Sequence, residues 1–138
     1  MRFFTLHCLF FCIYVKMIYM AEVLNEDFGL EMTGGDKDLY ADLLEAFLST
    51  PSPDKKVLFE KAKSAFEKDR EEAAKTVHLF KGSSLQIGAE KLGSAAKVLE
   101  NVLRKKEEGD LDSLLSSFIS EYDSAVILIK AALSKFRA

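Results

Sequence analysis

The stretch from residue 76 to residue 89 reads Thr-Val-His-Leu-Phe-Lys-Gly-Ser-Ser-Leu-Gln-Ile-Gly-Ala. On a helix, at about 100° per residue, this stretch and the residues just before it separate into two faces. The mostly apolar face holds Ala73, Val77, Phe80, Ser84 and Ile87. The polar face holds Glu71, Lys75, His78, Lys81 and Gly82. The spacing therefore predicts a helix that buries the first set and turns the histidine toward water.

His78 could act as a nucleophile toward a phosphoryl group, and its neighbours are suited to assist it. Lys75 and Lys81 lie one turn before and one turn after it, so positive charge flanks any anion bound to the ring. Gly82 lies one turn later, where a larger side chain would lean back over the imidazole. A glycine inside a helix costs about 1 kcal/mol relative to alanine, and access to the imidazole is one reason for it. The alternative is an ordinary surface histidine between solvated lysines, and the role of Lys75 depends on spacing alone.

Length and composition indicate one folded helical domain. The chain has 138 residues, 49% of them apolar and 30% charged, with 7 Gly and 2 Pro. The net charge is -3 and there is no arginine-rich stripe, so we expect no nucleic-acid partner.

Cysteine and histidine are almost confined to the start of the chain. Cys8, Cys12 and His7 all lie within the first 20 residues, which leaves His78 as the single imidazole of residues 21–138. A disulfide framework and a Cys/His metal site are therefore excluded for residues 21–138, and no bound metal is expected.

Residues 1–20 are predicted to be an apolar extension, and residues 21–138 the functional domain. Arg2 and the apolar run after it have some features of a signal peptide or membrane anchor, but Lys16 interrupts the run and no small-residue cleavage site follows. The alternative is an upstream extension, with Met20 as the functional start. A cytoplasmic location is expected, including the nucleus if the source is a eukaryote. Membrane attachment applies only if residues 3–20 are a real anchor.

The rest of residues 21–138 also has helical periodicity. The predicted elements are a short helix within residues 21–31, a helix capped by Asp36, a helix capped by Ser52 that runs to Phe66, the histidine helix, a helix over residues 89–103, and a last helix capped by Asp110. The histidine helix is expected to begin with a capping box from Asp69 to Glu72 and to end at Gly88. We predict an all-α fold, an up-down antiparallel four-helix bundle with a short additional N-terminal helix.

Residues 78–84, His-Leu-Phe-Lys-Gly-Ser-Ser, followed by Ile87-Gly88-Ala89, resemble the signature of histidine-containing phosphotransfer (HPt) domains. These domains are intermediates of multistep two-component phosphorelays in signal transduction. The similarity extends over roughly residues 23–136.

The resemblance implies a role for each matching residue. His78 would be the phospho-acceptor, taking the group from a receiver-domain aspartate or a hybrid histidine kinase and passing it to another response-regulator receiver. Lys81 would pair with the phosphoryl oxygens, and Gly82 would give the receiver clearance. Glu100 and Arg104 occupy the helix region that faces the histidine in such domains.

Helical phase adds two positions to this face. Ala74 and Leu85 lie on the same side as His78 and are predicted to form an apolar rim where a receiver docks, whereas Ser84 is assigned to packing.

The sequence has no glycine-rich nucleotide loop and no acidic cluster of the kind that holds magnesium. We therefore expect a phosphocarrier with no kinase site for ATP, and Mg²⁺ supplied by the partner receiver. A monomer is also expected, although no residue pattern points to it. The alternative is a non-catalytic helical adaptor that binds receiver or kinase domains without carrying phosphate.

Overall fold

The structure is a computed structural model that describes residues 21–138. It contains six helices, α1 (Glu26–Met32), α2 (Lys37–Ser49), α3 (Lys55–Ala62), α4 (Glu67–Ile87), α5 (Glu90–Leu103) and α6 (Leu111–Arg137). No strand occurs within residues 21–138, so the predicted all-α class is confirmed. The predictions made for residues 1–20 lie outside the described part of the chain.

Several helix ends follow the capping residues predicted from the sequence. The Asp36 side chain accepts hydrogen bonds from Asp38 N and Leu39 N at the start of α2, and Asp110 accepts from Asp112 N at the start of α6. Gly88 ends α4 with a φ of 86°, in the left-handed region that glycine adopts without steric cost.

The ends of α3 and α4 that face each other differ from the prediction. Asp54, not Ser52, caps α3, and α3 ends at Ala62. The capping box at Asp69 does not form, because α4 already begins at Glu67 and the Asp69 carboxylate instead accepts a hydrogen bond from Ser64 Oγ at 2.7 Å. Arg70 Nη1 donates to the Ser64 carbonyl, also at 2.7 Å. These two contacts stabilise a turn at Ser64, so that α3 ends before the predicted Phe66 and α4 begins before the predicted Asp69.

Four helices surround the main core. Helix α4 packs on α5, α5 on α6, α6 on α2, and α2 also contacts α4, while α3 lies against α4 and α6. At its centre four aromatic rings contact one another: Phe47, Phe80, Phe118 and Tyr122. This core fixes α4 with its apolar face inward. The strict up-down antiparallel order stays a prediction.

The turn between α4 and α5 is held by groups from the N-terminal part of the domain. Asn25 N donates to Gly88 O at 2.7 Å, and Asn25 Nδ2 donates to Glu90 Oε1 at 2.6 Å. The buried Tyr40 hydroxyl donates to Ile87 O at 2.7 Å. With the turn fixed in this way, α4 and α5 run side by side.

Within residues 21–138, no helix combines the length and the apolar character that crossing a bilayer requires.

Candidate functional site

His78 lies in the middle of α4 with its side chain 61% exposed. Val77 and Phe80, on either side of it in sequence, are buried, and so is Ser84. The Ser84 hydroxyl donates to the carbonyl of Phe80 within the helix. The structure therefore confirms the predicted helical phase, in which Ser84 packs inward and the imidazole faces out.

The inner nitrogen of the imidazole contacts a carboxylate from the neighbouring helix. His78 Nδ1 lies 2.7 Å from Oε2 and 3.0 Å from Oε1 of Glu100 on α5. Glu100 is only 5% exposed, so its carboxylate approaches the ring from the protein side. Within residues 21–138, Nε2 makes no hydrogen bond, and it lies on the opposite edge of the ring from the carboxylate.

Glu100 also binds the ammonium group of Lys81. The Nζ atom lies 2.9 Å from Oε1, and Arg104 adds a longer contact, with Nε 3.9 Å from Oε2. Burial by itself would raise the pKa of Glu100, but the hydrogen bonds and positive charge of Lys81 and His78 outweigh burial, so the pKa lies below its usual value. Glu100 is therefore ionised at neutral pH.

An ionised carboxylate can only accept hydrogen bonds, which decides the tautomer of His78. We assign the proton to Nδ1, so that the neutral imidazole has its lone pair on Nε2. The free lone pair therefore faces solvent, where an incoming electrophile can reach it.

Of the two lysines predicted near the imidazole, Lys81 contacts Glu100 and Lys75 does not. Lys81 shares the carboxylate with His78, as described above. Lys75 is solvent-exposed, with Nζ 3.7 Å from Oε1 of Glu71 on its own helix. The structure thus brings Lys81 into the cluster and leaves Lys75 at its margin.

The predicted apolar rim is corrected in one position. Ala74 is 1% exposed, because α5 packs over that flank of α4, and it therefore offers no apolar surface to a partner. Leu85 is 46% exposed, as the prediction requires, and Leu79, which the sequence analysis did not select, is 57% exposed. The position of Leu79 directly after His78 was the sequence signal that could have identified it as part of this surface.

Gly82 has no structural reason to be glycine in this fold. Its φ is not in the left-handed region, and a Cβ built on it would meet no atom within 4 Å. By contrast, a Cβ on Gly93 would lie 2.7 Å from Cδ2 of Leu85, so Gly93 serves close helix packing. The surface next to His78 is thus left open at residue 82 although the fold has room for a side chain.

Comparison with known protein families gives a match to the Hpt domain over residues 41–138. The chain belongs to the Hpt domain family. Hpt domains carry out histidine phosphotransfer in phosphorelays, where they interact with receiver domains and kinases. The matched part of this Hpt domain includes the whole His78, Lys81 and Glu100 cluster. No curated protein and no solved structure matches the chain.

Proposed function

We propose that this Hpt domain is a phosphorelay intermediate that accepts a phosphoryl group on Nε2 of His78. The donor is a receiver-domain aspartyl phosphate or a hybrid histidine kinase, and the acceptor is another response-regulator receiver. The observation that carries the proposal is the contact between Nδ1 and the buried Glu100 carboxylate, since it directs the nucleophilic lone pair to the exposed edge of the ring.

The proposed transfer needs only this nucleophile and its partner. The Nε2 lone pair attacks phosphorus, the bond between phosphorus and the aspartyl oxygen breaks, and the aspartate leaves as a carboxylate. The ring then carries a positive charge with its proton still on Nδ1, and the Glu100 carboxylate at 2.7 Å stabilises that charge. Attack on phosphorus by the aspartate of the next receiver reverses these events and restores the neutral imidazole.

Lys81 supplies mobile positive charge in this proposal. Its ammonium shares Glu100 with the ring that would be phosphorylated, so a short side-chain movement would let it pair with phosphoryl oxygens on Nε2. Lys75, paired with Glu71, contributes less. Gly82 provides clearance for the receiver, and Leu85 with Leu79 provides apolar contact.

The remaining parts of the proposal concern the partner and the fold. We assign the Mg²⁺ required for phosphoryl transfer to the partner receiver, because this chain contributes a nucleophile and local charge. We also infer that α2, α4, α5 and α6 form an up-down antiparallel bundle, which is consistent with the ring of contacts among these four helices.

The test is phosphotransfer from a panel of ³²P-labelled receiver domains to the purified chain. We expect acid-labile, base-stable label on the wild type and none on His78→Gln, with helicity by circular dichroism unchanged. His7 is the other histidine of the chain, so His7→Gln is the matched control and should label like wild type. Label on His78→Gln would refute the assignment of the acceptor. Stable receiver binding with no labelling of the wild type would instead indicate the adaptor function.

A further inference from the structure

A cleft of about 340 Å³ lies between the first half of α4 and the end of α5. Glu67 and Glu71 line it on the α4 side, Arg104 and Lys105 line it at the end of α5, and Ala74, which is almost fully buried, borders it. Ala74 is one helical turn before His78, and Arg104 contacts the same Glu100 carboxylate that orients the imidazole. The cleft therefore adjoins the phosphotransfer site without containing the reacting atoms.

Lys105 adopts a backbone conformation that disfavours lysine. Its φ is 59°, and it is the single non-glycine residue with positive φ in residues 21–138. It ends α5 with the two hydrogen bonds of a Schellman turn, from Lys105 N to Val102 O at 3.1 Å and from Lys106 N to Asn101 O at 2.8 Å. Glycine is the favoured residue at this position of the turn. The helix end thus gives no reason for lysine, whereas a cation at the edge of the cleft does.

Arg104 also retains hydrogen-bonding capacity. Its one ionic contact within residues 21–138 is the 3.9 Å approach to Glu100, and that carboxylate already binds His78 and Lys81 at shorter distances. Arg70, the third cation of the cleft, donates to the Ser64 carbonyl at 2.7 Å. Two cations at the end of α5 are therefore available to an anionic group, and a guanidinium matches the geometry of a carboxylate.

We propose that this cleft is a docking subsite for a carboxylate side chain on the receiver, bound by Arg104 and Lys105. The inference rests on the phosphorelay function proposed above. A receiver that brings its aspartate to Nε2 covers a surface of about 800 Å² around it, and the cleft begins one turn away. Glu67 and Glu71 on the opposite wall repel any carboxylate, so the bound carboxylate is confined to the side of the cleft formed by Arg104 and Lys105.

The test uses the 138-residue protein and two matched variants, Lys105→Asn and Lys106→Asn. Asparagine tolerates positive φ, so Lys105→Asn removes the charge without new strain. Lys106 is the adjacent lysine and does not line the cleft. Each protein is loaded with phosphoramidate, a small donor that requires no docking, and transfer to an acceptor receiver is then compared at equal phosphorylated fractions.

We expect Lys105→Asn to raise KM for the receiver by about five- to tenfold, with a smaller effect on kcat. The difference in KM between the variant and wild type should shrink at high salt. Lys106→Asn should match wild type. Equal KM values for wild type and Lys105→Asn, or equal increases in both variants, would overturn the subsite. Failure of wild type to take up phosphate from phosphoramidate or from any receiver would instead overturn the phosphorelay function itself.

Discussion

The Nδ1 atom of His78 lies 2.7 Å from Oε2 of Glu100, a residue 22 positions later in the chain. The carboxylate is buried and the imidazole is exposed, so the contact joins the protein interior to the solvent-facing side of α4. It orients the ring, favours the tautomer with the proton on Nδ1 and leaves Nε2 on the side that faces solvent.

Glu100→Gln should slow phosphorylation of His78 by about 10- to 100-fold, by analogy with the loss of the hydrogen-bond partner that orients a metal-binding histidine. An amide carries no charge to stabilise the phosphorylated ring, and it can also donate a hydrogen bond to Nδ1, which would move the lone pair away from Nε2. The measurement is the labelling rate at a fixed receiver concentration, together with the ¹⁵N chemical shifts of the imidazole. Glu108→Gln, at an exposed position, is the control. An unchanged rate and unchanged tautomer in Glu100→Gln would show that the contact has no part in the chemistry.

The same carboxylate predicts a pH dependence of stability. Because the pKa of Glu100 is lowered in the folded protein, its contribution to the free energy of unfolding is present above the unfolded pKa of about 4.3. It is lost as the pH falls through the lower folded value. Thermal unfolding between pH 2 and pH 7 should therefore show a wild-type advantage over Glu100→Gln that disappears at the acidic end. A pH-independent difference would contradict this.

Gly82→Gln should increase the free energy of unfolding by about 0.5–1 kcal/mol, since glutamine has the higher helix propensity and a Cβ at this position meets no atom within 4 Å. Phosphotransfer from a receiver should nevertheless become slower, because the longer side chain lies over the imidazole. Loading by phosphoramidate should slow less, because the small donor needs less room. If the substitution slows phosphoryl transfer from both donors equally, Gly82 does not provide clearance for the receiver.

Tyr40→Phe should lower stability by about 1–2 kcal/mol, because it leaves the buried Ile87 carbonyl without its donor. Burial, with a smaller effect from Glu26, raises the pKa of Tyr40 to about 12. The wild-type advantage should therefore be complete below the unfolded tyrosine pKa of about 10 and disappear as the pH rises toward 12. The control is Tyr122→Phe, because the Tyr122 hydroxyl makes no hydrogen bond within residues 21–138. This variant should lose less stability at neutral pH than Tyr40→Phe. Equal losses in the two variants at neutral pH would show that the Tyr40 hydrogen bond contributes nothing.

Local sequence determined the helices and the direction in which His78 points. Periodicity placed Ser84 inward and the imidazole outward, and Gly88 marked the end of α4, because these features depend on residues three or four positions apart. The Ser64 turn was not predicted, because it depends on Asp69 and Arg70 folding back onto Ser64 instead of capping a helix of their own.

Which groups surround the imidazole was decided by tertiary structure. The burial of Ala74 and the contact of Lys81 with Glu100 both follow from the side of α4 that α5 covers. Which side of α4 is covered depends on the packing of four helices and on the fixed turn at Gly88. The residue pattern of a single helix does not predict it. The sequence by itself therefore determined that an exposed histidine stands on a helix, and the packing of α5 against α4 decided which of its nitrogens is free to react.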